Sequence, residues 1–238
     1  MSLPIFPVLP GLTWPVPKSS EFNTIQQNSP NFMQTSVVQA QNPRWHWELL
    51  FDVLRQNLAQ NFNEYQQLQG FILSLYGGAL DFLFSDPSDN SVGPAILLGV
   101  PNPAAELQVW NDGAGNYFSP VQRNMGGFYE DIPDLNGGIT VYANGTLATV
   151  GTGAGQYQLL GPGLAIPGFS TLGMYLAWGA STAPASPVTA QFNFYFRCKM
   201  ESDLQTFDQF LNTMWTVGGS EAFSSVSLKF MSSRIPEI

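Results

Sequence analysis

The chain has 238 residues, of which 44% are hydrophobic and 11% are charged. That is enough apolar material for one large or two smaller folded domains, and it excludes a disordered chain. Eight basic and seventeen acidic residues give a net charge of −9, with the basic residues scattered from Lys18 to Arg234. Because phosphate-binding surfaces need clustered lysine and arginine, the sequence argues against sequence-specific binding of nucleic acid.

The chain has one cysteine, Cys198, and one histidine, His46. An internal disulfide and the usual zinc and iron–sulfur ligand sets are thereby excluded, and the sequence predicts no metal and no cofactor. The N-terminal segment lacks a basic region, and no apolar run approaches the roughly 20 residues that span a bilayer. We therefore expect a protein that is made in the cytoplasm, stays soluble and does not insert into a membrane.

The low charge has two interpretations. A surface rich in Asn, Gln and aromatic residues is poorly protected against association, and interface cores are depleted in charge. Such a composition suits a subunit that buries much of its surface against copies or neighbours. An ordinary β protein with a polar, uncharged surface would show the same composition.

The first 43 residues are rich in Pro, Ser, Asn and Gln and predict an extended arm rather than a helix. Alternating residues then predict a strand over Trp45–Val53 with an aromatic face. Apolar residues at helical spacing predict a helix over Phe62–Tyr76, which ends at Gly77-Gly78. A buried strand over Ala79–Phe84 is expected to follow.

Residues 93–187 are dense in Gly and Pro, show no helical period and predict an all-β module. Strands over Leu107–Trp110 and Tyr117–Gln122 would form one hairpin. A tighter hairpin is predicted at Asn144-Gly145, because both positions accept positive φ. Leu172–Trp178 is another candidate strand.

The last part of the chain follows a linker over residues 180–187. Alternating phenylalanines at 192, 194 and 196 predict a strand of high β-propensity. A capping box at Ser202 with Gln205 and an apolar stripe from Leu204 to Trp215 predict a second helix. A final strand is expected over Ala222–Met231.

These patterns predict a mainly β fold in two parts. Both ends combine strands with a helix, whereas the middle contains strands only. We expect a discontinuous domain over residues 1–92 and 188–238, with 1–43 as its N-terminal arm, and an inserted all-β module over 93–187.

No motif in the chain carries a reaction, and we predict that the protein is not an enzyme. The glycines of Gly151–Gly155 fit neither nucleotide-binding spacing and are interpreted as a β-connection. The acidic groups Glu130, Asp131 and Asp134, and Asp86, Asp89 and Asn90, could serve a glycosidase or hold calcium. Their proline neighbours favour ordinary turns instead.

Trp45 and Trp47 share one strand face and could stack on a sugar, although large aromatic residues at alternate positions are more often core. His46 lies on the opposite face and has no second histidine to act with. No nucleophile elbow and no catalytic cysteine motif are present.

Several stretches, taken together and in order, resemble a family of distal tail proteins from long-tailed phages and gene transfer agents. The aromatic strand ending in Leu-Arg, the Phe-Leu-Phe-Ser-Asp-Pro turn and the late Phe-rich strand ending in Asp are the main similarities. The stretches that carry the resemblance are Phe6–Trp14, Pro43–Arg55, Gly70-Phe71, Phe82–Asp89, Glu106–Arg123 and Phe192–Asp203.

The resemblance implies a structural virion protein that forms a hexameric ring between the tail tube and the tail-tip hub. Its ring domain would be a β-barrel or sandwich of the tail-tube type with one or two flanking α-helices. Its partners would be copies of itself, the tail tube protein, the tape measure protein and the hub protein. DNA would pass through the lumen without specific binding, and an acidic lumen suits that passage because it repels phosphate.

We expect the arm and the first aromatic strand to lie near subunit contacts; the candidate interface residues are Phe6, Leu9, Trp14, Phe22, Trp45 and Trp47. Deleting residues 1–22 should then leave a folded monomer that fails to form rings. One alternative is a carbohydrate-binding β module that attaches to the host surface through residues 93–187. Another is a glycan hydrolase that uses Glu130 or Asp134.

Overall fold

The structure is a computed structural model and describes residues 3–28, 30–31, 33–40, 42–51, 54–57, 62–93, 96–97, 100–101, 105–162, 173–203, 207–211, 214–217 and 227–233. The fold is mainly β, with 49% strand, and the part of the chain so described contains one short α-helix, several antiparallel sheets and no closed barrel. None of its helices is long and apolar enough to cross a membrane.

The chain divides into two units. Unit 1 comprises Met1–Leu83 and Cys198–Ser233, and unit 2 comprises Phe84–Arg197 and Arg234–Ile238. The boundaries predicted from the sequence lie after residue 92 and before residue 188, so the structure assigns fewer residues to the discontinuous unit.

Unit 1 contains ten strands and one helix in the described residues, with the last residue of β7 falling in unit 2. Its elements are β1 (Lys18–Glu21), β2 (Thr24–Asn28), β3 (Gln34–Val38), β4 (Arg44–Leu49), β5 (Leu54–Asn57), β6 (Phe62–Asn63), α1 (Glu64–Ser74), β7 (Phe82–Phe84), β21 (Phe207–Leu211), β22 (Met214–Val217) and β23 (Leu228–Ser232). β1, β4 and β23 are neighbours in one antiparallel sheet, β2 pairs with β3, and β21, β22, β5 and β6 form a third sheet.

Helix α1 confirms the helical spacing in the first third of the chain. Tyr65, Leu68 and Ile72 are buried on one face. The chain turns away at Gly77, whose φ of +70° is a left-handed conformation that glycine adopts without strain. The backbone N–H of Gly78 donates to the carboxylate of Asp203 at 2.7 Å, and a Cβ at Gly78 would lie 2.9 Å from the same oxygen.

The core of unit 1 is built around aromatic rings that come from distant parts of the chain. The ring centroid of Phe6 lies 5.3 Å from that of Phe71 and 5.9 Å from that of Phe230. Trp47 stacks on Phe230 with centroids 5.6 Å apart. Trp47 is 1% exposed, which confirms the core interpretation of this tryptophan over the sugar-stacking one.

The predicted helix from Ser202 to Trp215 is wrong. The chain there forms the antiparallel strands β21 and β22, and β22 continues the sheet by pairing Met214 with Arg55 and Trp215 with Leu54. The segment is rich in Phe, Trp, Thr and Val, which favour strands when a neighbouring strand is available. Asp203, expected in a first helical turn, instead accepts the hydrogen bond from Gly78.

Unit 2 consists of many short strands and two longer ones, β16 and β20. Its elements are β8 (Ser91–Val92), β9 (Ile96–Leu97), β10 (Val100–Pro101), β11 (Ala105–Leu107), β12 (Trp110–Asn111), β13 (Tyr117–Pro120), β14 (Gln122–Met125), β15 (Phe128–Asp131), β16 (Asp134–Ala143), β17 (Thr146–Leu147), β18 (Tyr157–Leu160), β19 (Tyr175–Trp178), a 3-10 turn (Gly179–Ser181) and β20 (Val188–Met200), whose last three residues belong to unit 1. β16, β11 and β8 all pair with β20.

Three local predictions in unit 2 are confirmed. Asn144 and Gly145 have φ of 47° and 74° and connect β16 to β17 in a tight hairpin. β12 and β13 pair across the loop 112–116, although Leu107, predicted in the same strand as Trp110, lies in β11 and pairs with β20. The alternating phenylalanines of β20 are buried, with Phe194 fully enclosed.

Candidate assembly surface

A run of 22 residues, Phe22–Pro43, contains no Asp, Glu, Lys, Arg or His. It begins directly after Glu21 and ends directly before Arg44, and we call it the uncharged segment. Strands β2 and β3 lie within it and form an antiparallel hairpin. The sequence predicts an extended arm here, and the β-branched residues Ile25, Val37 and Val38 are the signal that could have identified the strands.

Every residue of β2 and β3 is exposed. Ile25 pairs directly with Val37 on one face of the hairpin, and these side chains are 45% and 55% exposed. Val38, on the other face, is 64% exposed. Apolar side chains on both faces of a two-stranded hairpin leave it without a core of its own, and such hairpins are only marginally stable in water.

Both strands of this hairpin are edge strands, because in the described residues β2 and β3 form a sheet of two strands only. An edge strand presents unpaired N–H and C=O groups to other chains, and proteins usually protect edges with charged residues. The uncharged segment has no such protection. Its edges and faces are therefore suited to pairing with another polypeptide.

The hairpin is attached to unit 1 through the pair of strands β1 and β4. Glu21 and Arg44 are direct partners across these strands, so the uncharged segment leaves and re-enters the sheet at adjacent positions. On the inner face of β1, the Lys18 ammonium lies 4.6 Å from the ring centroid of Trp45 and 5.5 Å from that of Trp47. These distances are within the range of cation–π attraction.

On the opposite face of the same strands, His46 lies between two carboxylates. Its Nδ1 is 2.5 Å from a carboxylate oxygen of Glu201, and its Nε2 is 3.0 Å from one of Glu21. Burial lowers the pKa of His46, but the hydrogen bonds to Glu201 and Glu21 and the negative charges of these two residues together outweigh burial and raise that pKa above 6.5.

The candidate interface residues predicted from the sequence divide into two groups. Phe6 and Leu9, at 7% and 8% exposure, are packed inside unit 1 together with Trp47. Trp14 is 61% exposed and Phe22 is 50% exposed, and Trp45 is partly covered. Of the six residues, Trp14 and Phe22 thus present the most surface to a partner.

The placement of Phe6 changes the result that we expect from deleting residues 1–22, from a folded monomer to a destabilised unit. Phe6 belongs to the aromatic core of unit 1, its backbone N–H donates to Leu83 at 2.8 Å, and β1 is part of the sheet. Removing these groups would open a large cavity and destabilise the unit. By contrast, β2 and β3 are exposed throughout, and we expect unit 1 to tolerate the loss of this hairpin.

In unit 2, the acidic residues surround a buried arginine. The side chain of Arg123 is 3% exposed and forms ion pairs with Asp89 and Glu130, and its guanidinium lies 5.1 Å from the ring centroid of Phe196. Burial lowers the pKa of Arg123, but the charges of Glu130 and Asp89 raise it overall. Both carboxylates are thus held against a buried cation.

The turn interpretation is correct for the first acidic group, where the backbone N–H of Asp89 donates to the carbonyl of Asp86 at 3.1 Å, and wrong for Glu130 and Asp134, which lie in strands β15 and β16. Asp86 accepts hydrogen bonds from the backbone N–H of Ser88 at 2.9 Å and from its hydroxyl at 2.7 Å, as in an ordinary turn. The side chains of Asp89 and Glu130 pair with Arg123, and Asp134 pairs with Arg197 at 3.2 Å. Asp89 and Asp134 are 34 and 63 residues from their arginine partners in the sequence, so no local pattern predicts these ion pairs.

The glycine-rich segment Gly151–Gly155 connects β17 to β18, as interpreted from the sequence. The backbone N–H of Gly153 donates to the side-chain oxygen of Gln156 at 2.8 Å. In the described portion of the chain, no group of three or more His, Cys, Asp or Glu side chains is placed to hold a metal ion.

No protein-family model matches the chain, and no curated protein matches it in sequence.

Proposed function

We propose that this chain is a structural subunit of the tail tip of a long-tailed phage, of the distal tail class. It forms a ring with copies of itself, about six by analogy with the family that it resembles. The ring joins the tail tube to the tail-tip hub and surrounds the DNA channel without binding DNA specifically. Such a subunit is made in the bacterial cytoplasm, acts in the virion and carries out no reaction.

The uncharged, exposed hairpin β2–β3 is the observation on which this proposal depends. Each copy carries a net charge of −9, so two copies repel one another at long range. The uncharged segment is the part of the surface that approaches a second copy without adding like-charge repulsion. Its unprotected edges then allow strand pairing, and its apolar side chains gain burial.

The fold and the ion pairs support an assembly role over an enzymatic one. The mainly antiparallel architecture with one helix fits a ring subunit. Arg123 engages Glu130, which the hydrolase alternative requires to be free. Trp47 is buried and Lys18 lies over Trp45, which disfavours stacking of a sugar on this pair of rings.

The first test is native mass spectrometry of the full chain over a concentration series, with negative-stain imaging of the same samples. We expect a closed ring of about six subunits. Monomer at every concentration, including the highest that stays soluble, would contradict self-assembly through this chain alone.

A hairpin-less variant tests the segment directly. Because Glu21 and Arg44 are direct cross-strand partners, residues 22–43 can be replaced by Asn-Gly, which closes two antiparallel strands in a tight turn. We expect a folded monomer with an unchanged β-sheet circular dichroism spectrum and no ring. Rings of normal size from this variant would remove the hairpin from the interface.

A pair of charge variants separates the effect of strand pairing on assembly from the effect of net charge. Ile25→Lys with Val37→Lys places two charges on one face of the hairpin, and ring formation should be lost because burying unpaired charge is costly. Leu147→Lys with Val150→Lys adds the same charge at exposed apolar positions of unit 2 and should leave rings intact. Equal effects of the two variants would mean that net charge, and not the hairpin, controls assembly.

A further inference from the structure

The contacts of His46 require a particular protonation state. A carboxylate oxygen lies against each ring nitrogen, Glu201 at Nδ1 and Glu21 at Nε2. A neutral imidazole has one N–H and one lone pair, so it donates to only one of two carboxylates and repels the other. Both hydrogen bonds exist together only when the ring is an imidazolium.

The charged groups around His46 lie on one face of the sheet. Direct antiparallel partners share a face, and His46 is opposite Ser19 on β1 and Met231 on β23. The charged residues on this face are Arg44 and Glu48 of β4, Glu21 of β1, Lys229 of β23, Lys199 of β20 and Glu201, which follows β20. Lys229 pairs with Glu48 at 3.4 Å, so Glu48 already has a cationic partner, whereas Glu21 and Glu201 both bind the imidazole.

The two carboxylates come from different parts of the chain. Glu21 is the last residue of β1 and directly precedes the uncharged segment, whereas Glu201 directly follows β20. The imidazolium of His46 in β4 therefore connects the root of the hairpin, at Glu21, to the chain that leaves the end of β20, at Glu201. Lys18 on Trp45 secures β1 from the other face and involves no histidine.

We propose that protonated His46, through its contacts with Glu21 and Glu201, holds the end of β1, and with it the root of the uncharged hairpin, on the sheet of unit 1. We call this pair of contacts the latch, because it depends on the proton of His46. When the proton is lost, the ring keeps one N–H and one carboxylate is released. Glu21 is the one that leaves, because its side chain is 61% exposed against 30% for Glu201 and regains water more readily. The consequence for ring assembly rests on the function proposed above; the latch itself does not.

The direction of the pH dependence follows from the raised pKa of His46. The latch is fully closed below the ordinary histidine pKa of 6.5 and opens as the pH rises through the higher pKa of the folded state. Raising the pH should therefore weaken the attachment of the root of the hairpin to the sheet, and lowering the pH towards 6.5 should strengthen that attachment.

The chain offers a clean measurement, because His46 is its only histidine. Its imidazole signals can be followed by NMR against pH in the full chain and in Glu21→Gln, Glu201→Gln and the double variant. We expect a midpoint above 6.5 in the wild type, a lower one in each single variant and the lowest in the double variant. Glu106→Gln removes an equal charge from an exposed residue of unit 2 and should leave the midpoint unchanged.

A wild-type midpoint at or below 6.5 would overturn the latch, as would a midpoint that neither Glu substitution moves. The second readout is hydrogen exchange of the β1 amides, corrected for the intrinsic pH dependence. Exchange should quicken by about two- to fivefold once His46 is neutral, the range expected for a partly exposed ion pair. His46→Gln should show the quicker exchange at every pH, and Lys18→Gln should raise exchange without moving the His46 midpoint.

Native mass spectrometry on either side of the measured midpoint separates this inference from the proposed function. An NMR midpoint and exchange change as expected, with no ring at any pH, would establish the latch and refute the ring. Rings together with pH-independent β1 exchange would refute the latch and leave the ring standing.

Discussion

Each unit of this chain holds a cation between two carboxylates, but the two sites differ in burial and chemistry. In unit 2, Arg123 is 3% exposed and pairs with Asp89 and Glu130. In unit 1, His46 is 28% exposed and contacts Glu21 and Glu201. A guanidinium stays charged at any accessible pH, whereas an imidazole gains or loses its proton near neutrality.

The comparison shows how similar geometry produces a permanent contact in one place and an adjustable one in another. Burial makes the Arg123 group costly to disrupt, because any member left alone would be a poorly hydrated charge. The His46 group is close to water, so each member can be rehydrated when the contact breaks. The Arg123 group, which is permanent, stabilises unit 2, and the His46 group, which depends on pH, lies at the root of the hairpin.

The largest effect is expected from Arg123→Met, which leaves Asp89 and Glu130 without their cation. Removing one partner of a buried ion pair typically costs about 3–5 kcal/mol. Urea denaturation should show this loss in the free energy of unfolding, while Arg44→Met, at an exposed position, should change little. A loss below about 1 kcal/mol would mean that the Arg123 group is solvated like the His46 group.

A smaller effect is expected when either carboxylate of that group becomes an amide. Glu130→Gln should cost about 1.5–3 kcal/mol, the range for a hydrogen bond to a charged group. Asp89→Asn should cost less, because the Asp89 side chain is 32% exposed against 9% for Glu130. Equal losses in the two variants, measured by the same denaturation, would contradict the role assigned to burial.

The smallest effect is expected from His46→Gln, and it should depend on pH. The folded-state pKa of His46 is raised, so its stabilising contribution is complete below 6.5 and disappears as the pH rises through the folded-state pKa. At pH 6 the variant should be less stable than the wild type by no more than about 1 kcal/mol, and at pH 9 the two should be equal. A difference that grew with pH would reverse the sign assigned here.

Two segments show where sequence patterns succeed and fail in this chain. Prolines near Phe6 correctly argue against a helix, but they do not show that Phe6 packs against Phe71 and Phe230. The apolar stripe from Leu204 to Trp215 fits a helical period, yet the chain forms β21 and β22. In both cases the outcome depends on a partner from another part of the chain.

The sequence by itself determined the features that depend on near neighbours. Helix α1 and its glycine stop, the hairpin at Asn144-Gly145 and the alternation of β20 all follow from local spacing and backbone preference. The absence of charge from Phe22–Pro43 is likewise visible in the sequence alone.

Only the tertiary structure decided which charges meet. His46 lies 25 residues from Glu21 and 155 from Glu201, and Arg123 lies 34 residues from Asp89. Strand pairing brings these groups together, and no local pattern specifies the pairing of distant strands. The same pairing buries Phe6 and leaves β2 and β3 exposed, because a sheet covers only the residues that its neighbouring strands and helices reach.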